Sequence, residues 1–462
     1  MASRSDQLHS HQFTRQRAIK ALALRDPDAV ASPTGRAGGA LLASVMVAVL
    51  VLAVVGVIEV LRPSGDGAWR DGRAVIIEEE TGARFVLRSG VLHPVLNHAS
   101  ALLLLGSQPL APVRVPRSAL ATVPRGVTLG IPGAPDPLPA AADLVTGAWS
   151  VCSRPAGDAT RAAESVLGVA GAMESTPLAE RALLAQDGAG GLHVVWHGYR
   201  FAVAEPRVAT AALGWSGATP VAVANAVLNA IPAGPPIAAP AVPVGGASAM
   251  TGHQVGEVFV LRSEGGQRRY AVALAGGLAD ITQVQADLLL ADPGRRLAGA
   301  TALAPADYVT AARADSLVPA GPGAPPAQTP ALVEAPATAA VCASFTDATT
   351  APVVGLRLDP GPAAGAVRVS AAAAANGPLL ADWVAMPPGR GVLVESRTGD
   401  TPGALSLVTD LGVRFPLPSA EVRTMLGYGA VAPVLLPNAV VALLPTGSAL
   451  DPAAAAVPVS VG

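Results

Sequence analysis

Two helical patterns open the chain. Residues 37–58 are apolar over 22 positions and carry no charged side chain. As a helix this run would be about 33 Å long, against roughly 30 Å of membrane hydrocarbon. Ahead of it, the apolar positions of residues 7–25 predict an amphipathic helix that stops at Asp26-Pro27. We therefore predict a transmembrane helix behind a tail that lies on the membrane, docks on a cytoplasmic partner, or is simply solvated.

The charges on the two sides of the apolar run indicate its orientation. The tail carries three aspartates against six basic residues, which are Arg4, Arg15, Arg17, Lys20, Arg25 and Arg36, whereas the far side opens with mixed charges. Because cytoplasmic flanks are rich in arginine and lysine, we expect the N-terminus in the cytoplasm and the chain from about Leu61 onward to be exported. A cleaved signal peptide is the rival interpretation, but the polar segment is 36 residues long and no A-x-A site follows.

Beyond residue 61 the pattern changes to short β-prone runs followed by apolar helical segments. Four runs contain an arginine directly before an aromatic residue, and these pairs are Arg84-Phe85, Arg200-Phe201, Arg269-Tyr270 and Arg414-Phe415. The pairs are 116, 69 and 145 residues apart, so the chain is no solenoid of fixed period. We interpret them as structural anchors of four small β-α repeat modules. In the first and third copies, residues 92–95 and 278–284 are interpreted as insertions.

These patterns predict the fold class: a single transmembrane helix and an α+β, β-rich exported region, in which four modules surround a central β domain in an elongated body. The expected boundaries are 1–36 for the amphipathic tail, 37–60 for the span, 61–110, 190–216, 257–292 and 405–429 for the modules, and 111–189, 217–256 and 293–404 for the central domain with its linkers. Residues 430–462 form a C-terminal tail that drapes over the body or is disordered. Segments 230–246, 319–336 and 444–462 are rich in Pro, Ala and Gly, and are expected to be extended or flexible.

Composition narrows the class of protein. Aromatic residues make up 3% of the chain while glycine and proline are abundant, so we expect short elements joined by many turns. The 31 basic and 33 acidic residues nearly cancel, which argues against a nucleic-acid-binding protein. Lys20 is the single lysine. The chain beyond it therefore lacks the lysine that a P-loop or a Schiff base requires.

The two cysteines, Cys152 and Cys342, lie in the part predicted to be exported. Because such compartments are oxidising, we expect the cysteines to pair, with two buried free thiols as the alternative. A bond would close a loop of 190 residues. The second and third anchors lie inside this loop, so we expect their modules together at one end of the body and the first and fourth modules together at the other.

Side chains suited to catalysis form no complete motif. The seven histidines make neither HExxH nor a pair with a carboxylate at metal spacing. The stretch GWSG at 214–217 lacks the second half of a nucleophile elbow, GIPG at 130–133 is typical of a turn, and the three glutamates at 78–80 favour a solvated strand end. We predict no catalytic, cofactor-binding or metal-binding residue, which makes an enzyme the weaker class.

In their order, several segments resemble the EccB family, a membrane component of the type VII (ESX) secretion system of actinobacteria. They are the helix at 7–25 ahead of one span, Leu61-Arg62-Pro63, GVLHPVLN at 90–97 with Ala99-Ser100-Ala101, Pro124-Arg125-Gly126, GIPGAPD at 130–136 and Trp149-Ser150-Val151-Cys152. The resemblance implies four repeats around a central β domain and a disulfide between Cys152 and Cys342. It also implies an inner (plasma) membrane location, oligomerisation, and assembly with EccC, EccD and EccE subunits.

Three functions stay open at this point. The first is a structural component of the secretion complex, which supports assembly through its cytoplasmic tail and a self-associating exported domain, without a cofactor and without nucleic acid. The second is an ATP-hydrolysing subunit of the same system, because that activity is attributed to some members of the family. The third is an anchored protein that binds the cell wall.

Overall fold

A computed structural model describes residues 3–24, 33–61, 69–106, 111–155, 162–171, 173–295, 299–336, 338–358, 365–369 and 379–459. In the two N-terminal helices, side chains are described for residues 3–22 and 39–55. The expected helix stop at Asp26-Pro27 and the motif residues Arg62 and Pro63 lie outside the described residues.

Two helices form the N-terminal part, α1 at Arg4–Leu24 and α2 at Pro33–Leu61. The apolar side chains of α1 do not gather into one stripe: at about 100° per residue, Leu8 and Ile19 share one side of the helix while Phe13 lies nearly opposite. The helix therefore differs from the amphipathic one expected. Helix α2 contains the whole apolar run. Within the residues whose placement is described, no helix combines the length and apolar content needed to cross a membrane.

The body that follows is built of short elements, in this chain order. First come β1 (Ile76–Glu78), β2 (Arg84–Arg88), β3 (Val91–Pro94), α3 (His98–Leu105), β4 (Val113–Val115), α4 (Arg117–Leu120), β5 (Trp149–Arg154), β6 (Glu164–Gly168) and β7 (Thr176–Pro177). Next come β8 (Leu183–Gln186), β9 (Leu192–Trp196), β10 (Tyr199–Ala202), α5 (Pro206–Ala212), β11 (Val221–Ala222), α6 (Asn225–Ala230), β12 (Val258–Arg262), β13 (Arg268–Leu274), β14 (Gly277–Ile281), α7 (Gln283–Ala291), β15 (Thr301–Ala302) and α8 (Pro305–Thr310). The last are β16 (Ala340–Phe345), β17 (Val353–Arg357), β18 (Ala366–Arg368), β19 (Trp383–Ala385), β20 (Gly391–Thr398), β21 (Thr401–Thr409), β22 (Arg414–Leu417), α9 (Ala420–Met425), β23 (Val434–Pro437), α10 (Asn438–Val441) and α11 (Pro452–Ala455).

In the described part of the chain, four sheets of four strands share one strand order: β3-β2-β1-β4, β10-β9-β8-β11, β14-β13-β12-β15 and β22-β21-β20-β23. In each, three strands form an antiparallel meander and the fourth returns parallel to the first. Because a parallel return needs a crossover connection, a helix lies between the third and fourth strands. We call each sheet with its helices a unit: unit 1 is 76–129, unit 2 is 183–237, unit 3 is 258–317 and unit 4 is 391–450.

These units are longer than the modules expected from the sequence. Units 2 and 4 begin at β8 and β20, ahead of the expected starts at residues 190 and 405, and every unit continues past its expected end into a fourth strand and a second helix. The fourth strands are two to four residues long. Such a strand is too short to show the alternation of polar and apolar positions from which strands are predicted.

Polar caps explain where the crossover helices start. Soon after the third strand, the side chains of Asn97, Thr282 and Ser419 each accept a hydrogen bond from a backbone N–H in the first turn of α3, α7 and α9. Thr282 and Gln285 complete a capping box, in which each side chain bonds the other residue's backbone N–H. Helix α5 has no such cap and starts instead with Pro206, a residue suited to the first helical turn.

A seven-stranded sheet of order β18-β19-β6-β5-β16-β17-β7 lies at the centre. Its strands come from two stretches of chain, 149–177 and 340–385, which flank units 2 and 3 in sequence. Trp149 and Phe345 pair across β5 and β16 and are fully buried. One hydrophobic cluster joins this sheet to side chains of unit 2, such as Val227, and of unit 4, such as Leu436.

The remaining large clusters pair the units. Units 1 and 4 share a cluster that contains Leu102 from α3 and Phe415 from β22. Units 2 and 3 share another, in which Leu288 of α7 packs with Phe201 of β10. The first unit therefore packs on the fourth and the second on the third.

The Pro-, Ala- and Gly-rich segments pack on the body, and apart from turns and helix α11 they are extended. Ile237 and Val242 of segment 230–246 are buried. In segment 319–336, the carbonyl of Ala331 accepts a hydrogen bond from the backbone N–H of Ala182 at 2.9 Å. Most of the C-terminal tail expected at 430–462 is part of unit 4, because it contains β23, α10 and the fully buried Leu450. Beyond that unit, residues 451–459 lie over the body. Residues 460–462 lie outside the described part.

Candidate functional site

Cys152 and Cys342 form a disulfide in the middle of the central sheet. The two residues are direct partners on the antiparallel strands β5 and β16, with their Cα atoms 4.0 Å apart. Both are buried, 3% and 0% exposed. Pairing of the strands thus brings the thiols together, and the bond closes a 190-residue loop that holds units 2 and 3.

The four arginine-aromatic pairs occupy two different positions in their units. Arg84-Phe85 and Arg269-Tyr270 lie on the second strands, β2 and β13, whereas Arg200-Phe201 and Arg414-Phe415 lie on the third strands, β10 and β22. The interpretation of residues 92–95 and 278–284 as insertions is therefore wrong. They contain the third strands β3 and β14, which every unit has.

On the third strands, the arginines of units 2 and 4 make the same contact. The Nε atom of Arg200 donates a hydrogen bond to the carbonyl of Ile231 at 3.2 Å, and that of Arg414 donates to the carbonyl of Leu444 at 3.3 Å. Both carbonyls precede the segment with which the unit ends. Burial lowers the pKa of the Arg414 guanidinium. These two anchors therefore tie the end of the unit to its third strand.

The neighbouring phenylalanines also act alike. Phe201 and Phe415 are buried, and their rings lie against Gly234 and Gly447, where an added Cβ atom would collide with the ring. Only glycine leaves room for the ring at these two positions. The aromatic residue of the anchor and a glycine more than thirty positions later thus form one packed pair.

The anchors of units 1 and 3 make different contacts. Arg84 donates from Nη1 to the carboxylate of Asp136 at 2.6 Å, and the same carboxylate accepts from the backbone N–H of His98 at 3.0 Å. Burial, and then the nearby Arg84 guanidinium, lower the pKa of His98. Arg269 is exposed and Tyr270 is half-buried.

Each unit ends with an extended segment that returns to its third strand and runs parallel to it. In unit 1, the N–H of Leu92 donates to the carbonyl of Pro124 at 2.8 Å, and the N–H of Gly126 donates to the carbonyl of Leu92 at 3.0 Å. The same two bonds join Arg200 to residues 232 and 234, Leu278 to residues 312 and 314, and Arg414 to residues 445 and 447. We call residues 124–129, 232–237, 312–317 and 445–450 the return segments.

The return segments carry a repeat that our sequence reasoning missed. Their sequences are PRGVTL, PAGPPI, ARADSL and PTGSAL. The sixth residues are Leu129, Ile237, Leu317 and Leu450, and each donates its N–H to the carbonyl of the last or second-to-last residue of the third strand. Three of the four copies share the pattern P-x-G-x-x-aliphatic. This pattern is the sequence signal from which the repeat could have been predicted.

Beyond its return segment, each unit extends an arm towards its partner unit. We call residues 130–136, 238–246, 318–328 and 451–459 the arms of units 1 to 4. Between units 1 and 4, Ser448 donates from Oγ to the carbonyl of Pro132 at 2.8 Å, and Val459 donates its N–H to the carbonyl of Thr128 at 2.9 Å. The two arms are thus exchanged reciprocally.

Units 2 and 3 exchange arms in the same way. Arg295 of unit 3 donates from Nη2 to the carbonyl of Val242, in the arm of unit 2, at 2.7 Å. Gly323, in the arm of unit 3, lies against the ring of Tyr199 in unit 2, where a Cβ atom would come within 3.0 Å of the ring. Both unit pairs are therefore joined by a shared hydrophobic cluster and by crossed arms.

Glu78 differs from the solvated strand end expected at 78–80. Its side chain is 5% exposed and accepts hydrogen bonds from Thr81 and, at 3.2 Å, from Nε of Arg117. Nη2 of Arg125 forms an ion pair with the same carboxylate at 3.6 Å. The hydrogen bond from Thr81 and the two guanidinium groups lower the pKa of Glu78. The carboxylate therefore joins β1 to α4 and to the return segment of unit 1.

Histidines and carboxylates in the described residues form isolated pairs. These are His193 with Asp187 at 3.0 Å, His197 with Glu180 at 3.1 Å and His253 with Glu257 at 2.7 Å. Across the described ranges, no group of three or more His, Cys, Asp or Glu side chains is arranged to hold a metal ion. That the chain uses no catalytic residue and no cofactor stays a prediction.

Comparison with known families identifies the chain. A family model described as "Type VII secretion system ESX-1, transport TM domain B" matches residues 1–460. The chain belongs to the EccB family. The resemblance seen in the sequence is therefore confirmed over nearly the whole length of the chain, and the protein is a component of type VII (ESX) secretion at the inner membrane.

Curated relatives are EccB proteins of several ESX systems. ESX-3 secretion system ATPase EccB3 of Mycolicibacterium smegmatis is 30% identical over 469 residues, which cover 96% of this chain and 88% of the relative. ESX-2 secretion system ATPase EccB2 of Mycobacterium tuberculosis is 28% identical, with 97% and 93% covered.

Chains in solved structures of ESX complexes have the same fold. A chain of an intact ESX-5 inner membrane complex matches with a TM-score of 0.67 at 25% identity, which covers 100% of this chain and 96% of that one. A chain of the EccB3 dimer from the ESX-3 core complex matches with a TM-score of 0.66 at 28% identity, which covers 83% of this chain and 100% of that one. One of these chains thus occurs in an inner membrane complex, and EccB3 occurs as a dimer.

Proposed function

We propose that this chain is a structural component of its secretion complex, which links cytoplasmic partners to an exported, self-associating body. The observation that carries the proposal is the exchange of arms between paired units. It makes one continuous body of four units and the central sheet, and most of the buried side chains in it serve packing. Such a body suits a scaffold that holds other subunits in register.

We also propose a single membrane pass with the N-terminus in the cytoplasm. Support comes from α2, whose described leucine, valine and methionine side chains are all exposed on a helix without charge between residues 37 and 58. A helix that is apolar all round is typical of burial in lipid or in a large core. The excess of basic residues in the tail supports the orientation.

The partners we propose are subunits of the EccC, EccD and EccE type and further copies of this chain. The solved EccB3 dimer supports self-association. The described side chains of helix α1 are exposed except that of Ala21, which is half-buried, and this makes the helix available to cytoplasmic partners. The four units, with one strand order and one hydrogen-bonding pattern, are proposed to be copies of one ancestral module.

Deletion of residues 4–24 tests this proposal in the cell that carries the complete system. We expect the shortened protein to reach the membrane with its disulfide intact but to lose co-purification of the other membrane subunits. As the control, α1 is replaced by an unrelated polar helix. A deletion of equal length in the arm of unit 3 and its flank would not serve, because it would disturb the body. Intact complexes after the deletion would show that the exported body drives assembly.

ATP hydrolysis is the second candidate, because the curated relatives are named ATPases. The chain holds no lysine beyond Lys20, so any phosphate contact in the exported body would rely on arginine or backbone N–H groups. The test is phosphate release by the purified full chain, compared with the same preparation after heat denaturation. Sustained phosphate release that a single arginine substitution in the body abolishes would favour the enzyme over the scaffold.

Retention on peptidoglycan without other membrane subunits would instead favour the cell-wall-binding protein.

A further inference from the structure

A cleft of about 300 Å³ lies in unit 3, at the end of its third strand β14. Charged and aromatic side chains line it, among them Arg268, Arg269, Tyr270, Asp280 and Tyr308. The whole chain has four tyrosines, and two of them line this cleft. The cleft therefore concentrates a scarce residue, and its volume lies at the lower end of the range found for small-molecule sites.

The acidic side chain in the lining is neutralised by its neighbours. Asp280 accepts a hydrogen bond from the hydroxyl group of Tyr308 at 2.7 Å and another from Nη2 of Arg313 at 2.6 Å. The guanidinium group of Arg313 also lies over the ring of Tyr308, 4.5 Å from its centroid. Burial, and then the hydrogen bond to Asp280, raise the pKa of the Tyr308 hydroxyl group. This wall of the cleft is thus fixed in position and carries no net charge.

Arg268 and Arg269 have no such counter-charge. Among the residues that the structure describes, neither guanidinium group has an ion-pair or hydrogen-bond partner. Arg268 also lies directly opposite Arg262 across β12 and β13, and like charges in that arrangement destabilise a sheet. Glu264, in the turn between the two strands, forms no ion pair with them in the described structure. Folding alone therefore does not account for these arginines, whereas a bound anion would offset their repulsion.

The other three units serve as internal controls, because they share the fold of unit 3. Their anchor aromatic residues are buried, whereas Tyr270 is half-buried, and the three are Phe85, Phe201 and Phe415. The second helices α4, α6 and α10 each contain a buried residue, but α8, which carries Tyr308, contains none. The tyrosines and arginines of the cleft are thus a property of unit 3 and not a requirement of the repeated fold.

We propose that the cleft of unit 3 binds the phosphate group of a small organic ligand. Guanidinium groups stay charged and match the geometry of phosphate oxygens. A phosphate monoester carries about −1.5 to −2 charge at neutral pH, which Arg268 and Arg269 balance, whereas a carboxylate carries one negative charge. Tyr270 and Tyr308 offer rings on which the organic part of the ligand packs. The inference goes beyond the proposed scaffold, because it requires neither assembly nor hydrolysis.

The test is titration calorimetry of the purified full chain with glucose 6-phosphate, and with inorganic phosphate and glucose for comparison. We expect glucose 6-phosphate to bind, inorganic phosphate to bind more weakly because it does not reach the tyrosine rings, and glucose to give no signal. Arg268→Gln with Arg269→Gln should weaken binding by about tenfold or more. The matched control is Arg88→Gln with Arg114→Gln, which removes two exposed strand arginines from unit 1 and should leave the affinity unchanged.

Thermal unfolding separates ligand binding from a structural role of the arginines. Without ligand, Arg268→Gln should keep or raise the thermal midpoint, because the repulsion with Arg262 is removed. Glucose 6-phosphate should raise the midpoint of the wild-type chain and not that of the variant that lacks both arginines.

Three results would overturn the proposal: no binding of either phosphate compound, equal loss of binding in the two double variants, or a lower midpoint for Arg268→Gln without ligand. Inorganic phosphate that binds as tightly as glucose 6-phosphate would overturn the part assigned to the tyrosines. None of these results bears on co-purification of the membrane subunits, so the scaffold proposal is tested separately.

Discussion

The hydroxyl group of Tyr428 donates a hydrogen bond to the backbone carbonyl of Pro139, 289 residues earlier in the chain, at 2.7 Å. Tyr428 follows helix α9 and is buried in the cluster shared by units 1 and 4. Burial raises the pKa of its hydroxyl group. The bond fixes the segment that leads into the central sheet against unit 4.

Replacement of Tyr428 by phenylalanine should lower the free energy of unfolding by about 1 kcal/mol, because the carbonyl of Pro139 would be left without its donor. Urea titration of the purified chain, followed by tryptophan fluorescence, measures the change. Tyr199→Phe is the control, since the described structure shows no hydrogen bond to the Tyr199 hydroxyl. An equal loss in both variants would mean that the hydrogen bond contributes nothing specific.

Removal of the disulfide by Cys152→Ala with Cys342→Ala should destabilise the body by up to about 5 kcal/mol, the chain-entropy estimate for a loop of this length. Because both sulfur atoms are buried, a mild reductant should cleave the bond in urea and leave it intact in native buffer. Alkylation and mass mapping of the two cysteines checks both statements. Rapid alkylation of the native protein under reductant would contradict the burial of the bond.

Gly234→Ala and Gly447→Ala should each destabilise the protein by about 1–3 kcal/mol, because the new methyl group would overlap the ring of Phe201 or Phe415. Gly217→Ala is the control: a Cβ atom there meets nothing within 4 Å, and the loss of chain entropy in the unfolded state favours the alanine. The thermal midpoint should fall for the first two variants and hold or rise for the third. Unchanged midpoints for all three would refute the ring-glycine pairing.

Glu78 should make the stability of unit 1 depend on pH. Its pKa is lower in the folded protein than the ordinary 4.5, so the folded state is stabilised above that pH and loses the contribution as the pH falls through the lowered value. Glu78→Gln should therefore reduce stability at neutral pH and flatten the acid limb of the profile. Glu79→Gln, which alters an exposed neighbour, should leave the profile unchanged. Parallel acid limbs in wild type and Glu78→Gln would argue against the ion pairs.

The sequence indicated the number of repeats better than their extent. Four arginine-aromatic pairs correspond to four units, although two of the pairs lie on the second strand and two on the third. The pairs alone could not reveal this, because Arg-Phe-x-aliphatic suits any half-buried strand. The third strands differ in burial from unit to unit, and only those of units 2 and 4 contain the dipeptide.

Pairing of the units could be derived from the two cysteines. The loop closed by Cys152 and Cys342 holds units 2 and 3, and the hydrophobic clusters join unit 2 to unit 3 and unit 1 to unit 4. The arms could not be derived in this way. Their Pro- and Ala-rich composition is typical of linkers, and their packing depends on carbonyl and N–H groups of a distant unit, which leave no trace in side-chain periodicity.

The position of the Cys152–Cys342 bond also determines how the chain would carry tension. Once a pull between helix α2 and unit 4 had separated unit 1 from unit 4, the tension would pass along β5, cross the sulfur atoms and continue from β16, because the disulfide is a shorter covalent path than the 190-residue loop. The residues between the two cysteines would bear none of that load. Units 2 and 3 would therefore keep their fold while the ends of the molecule are strained.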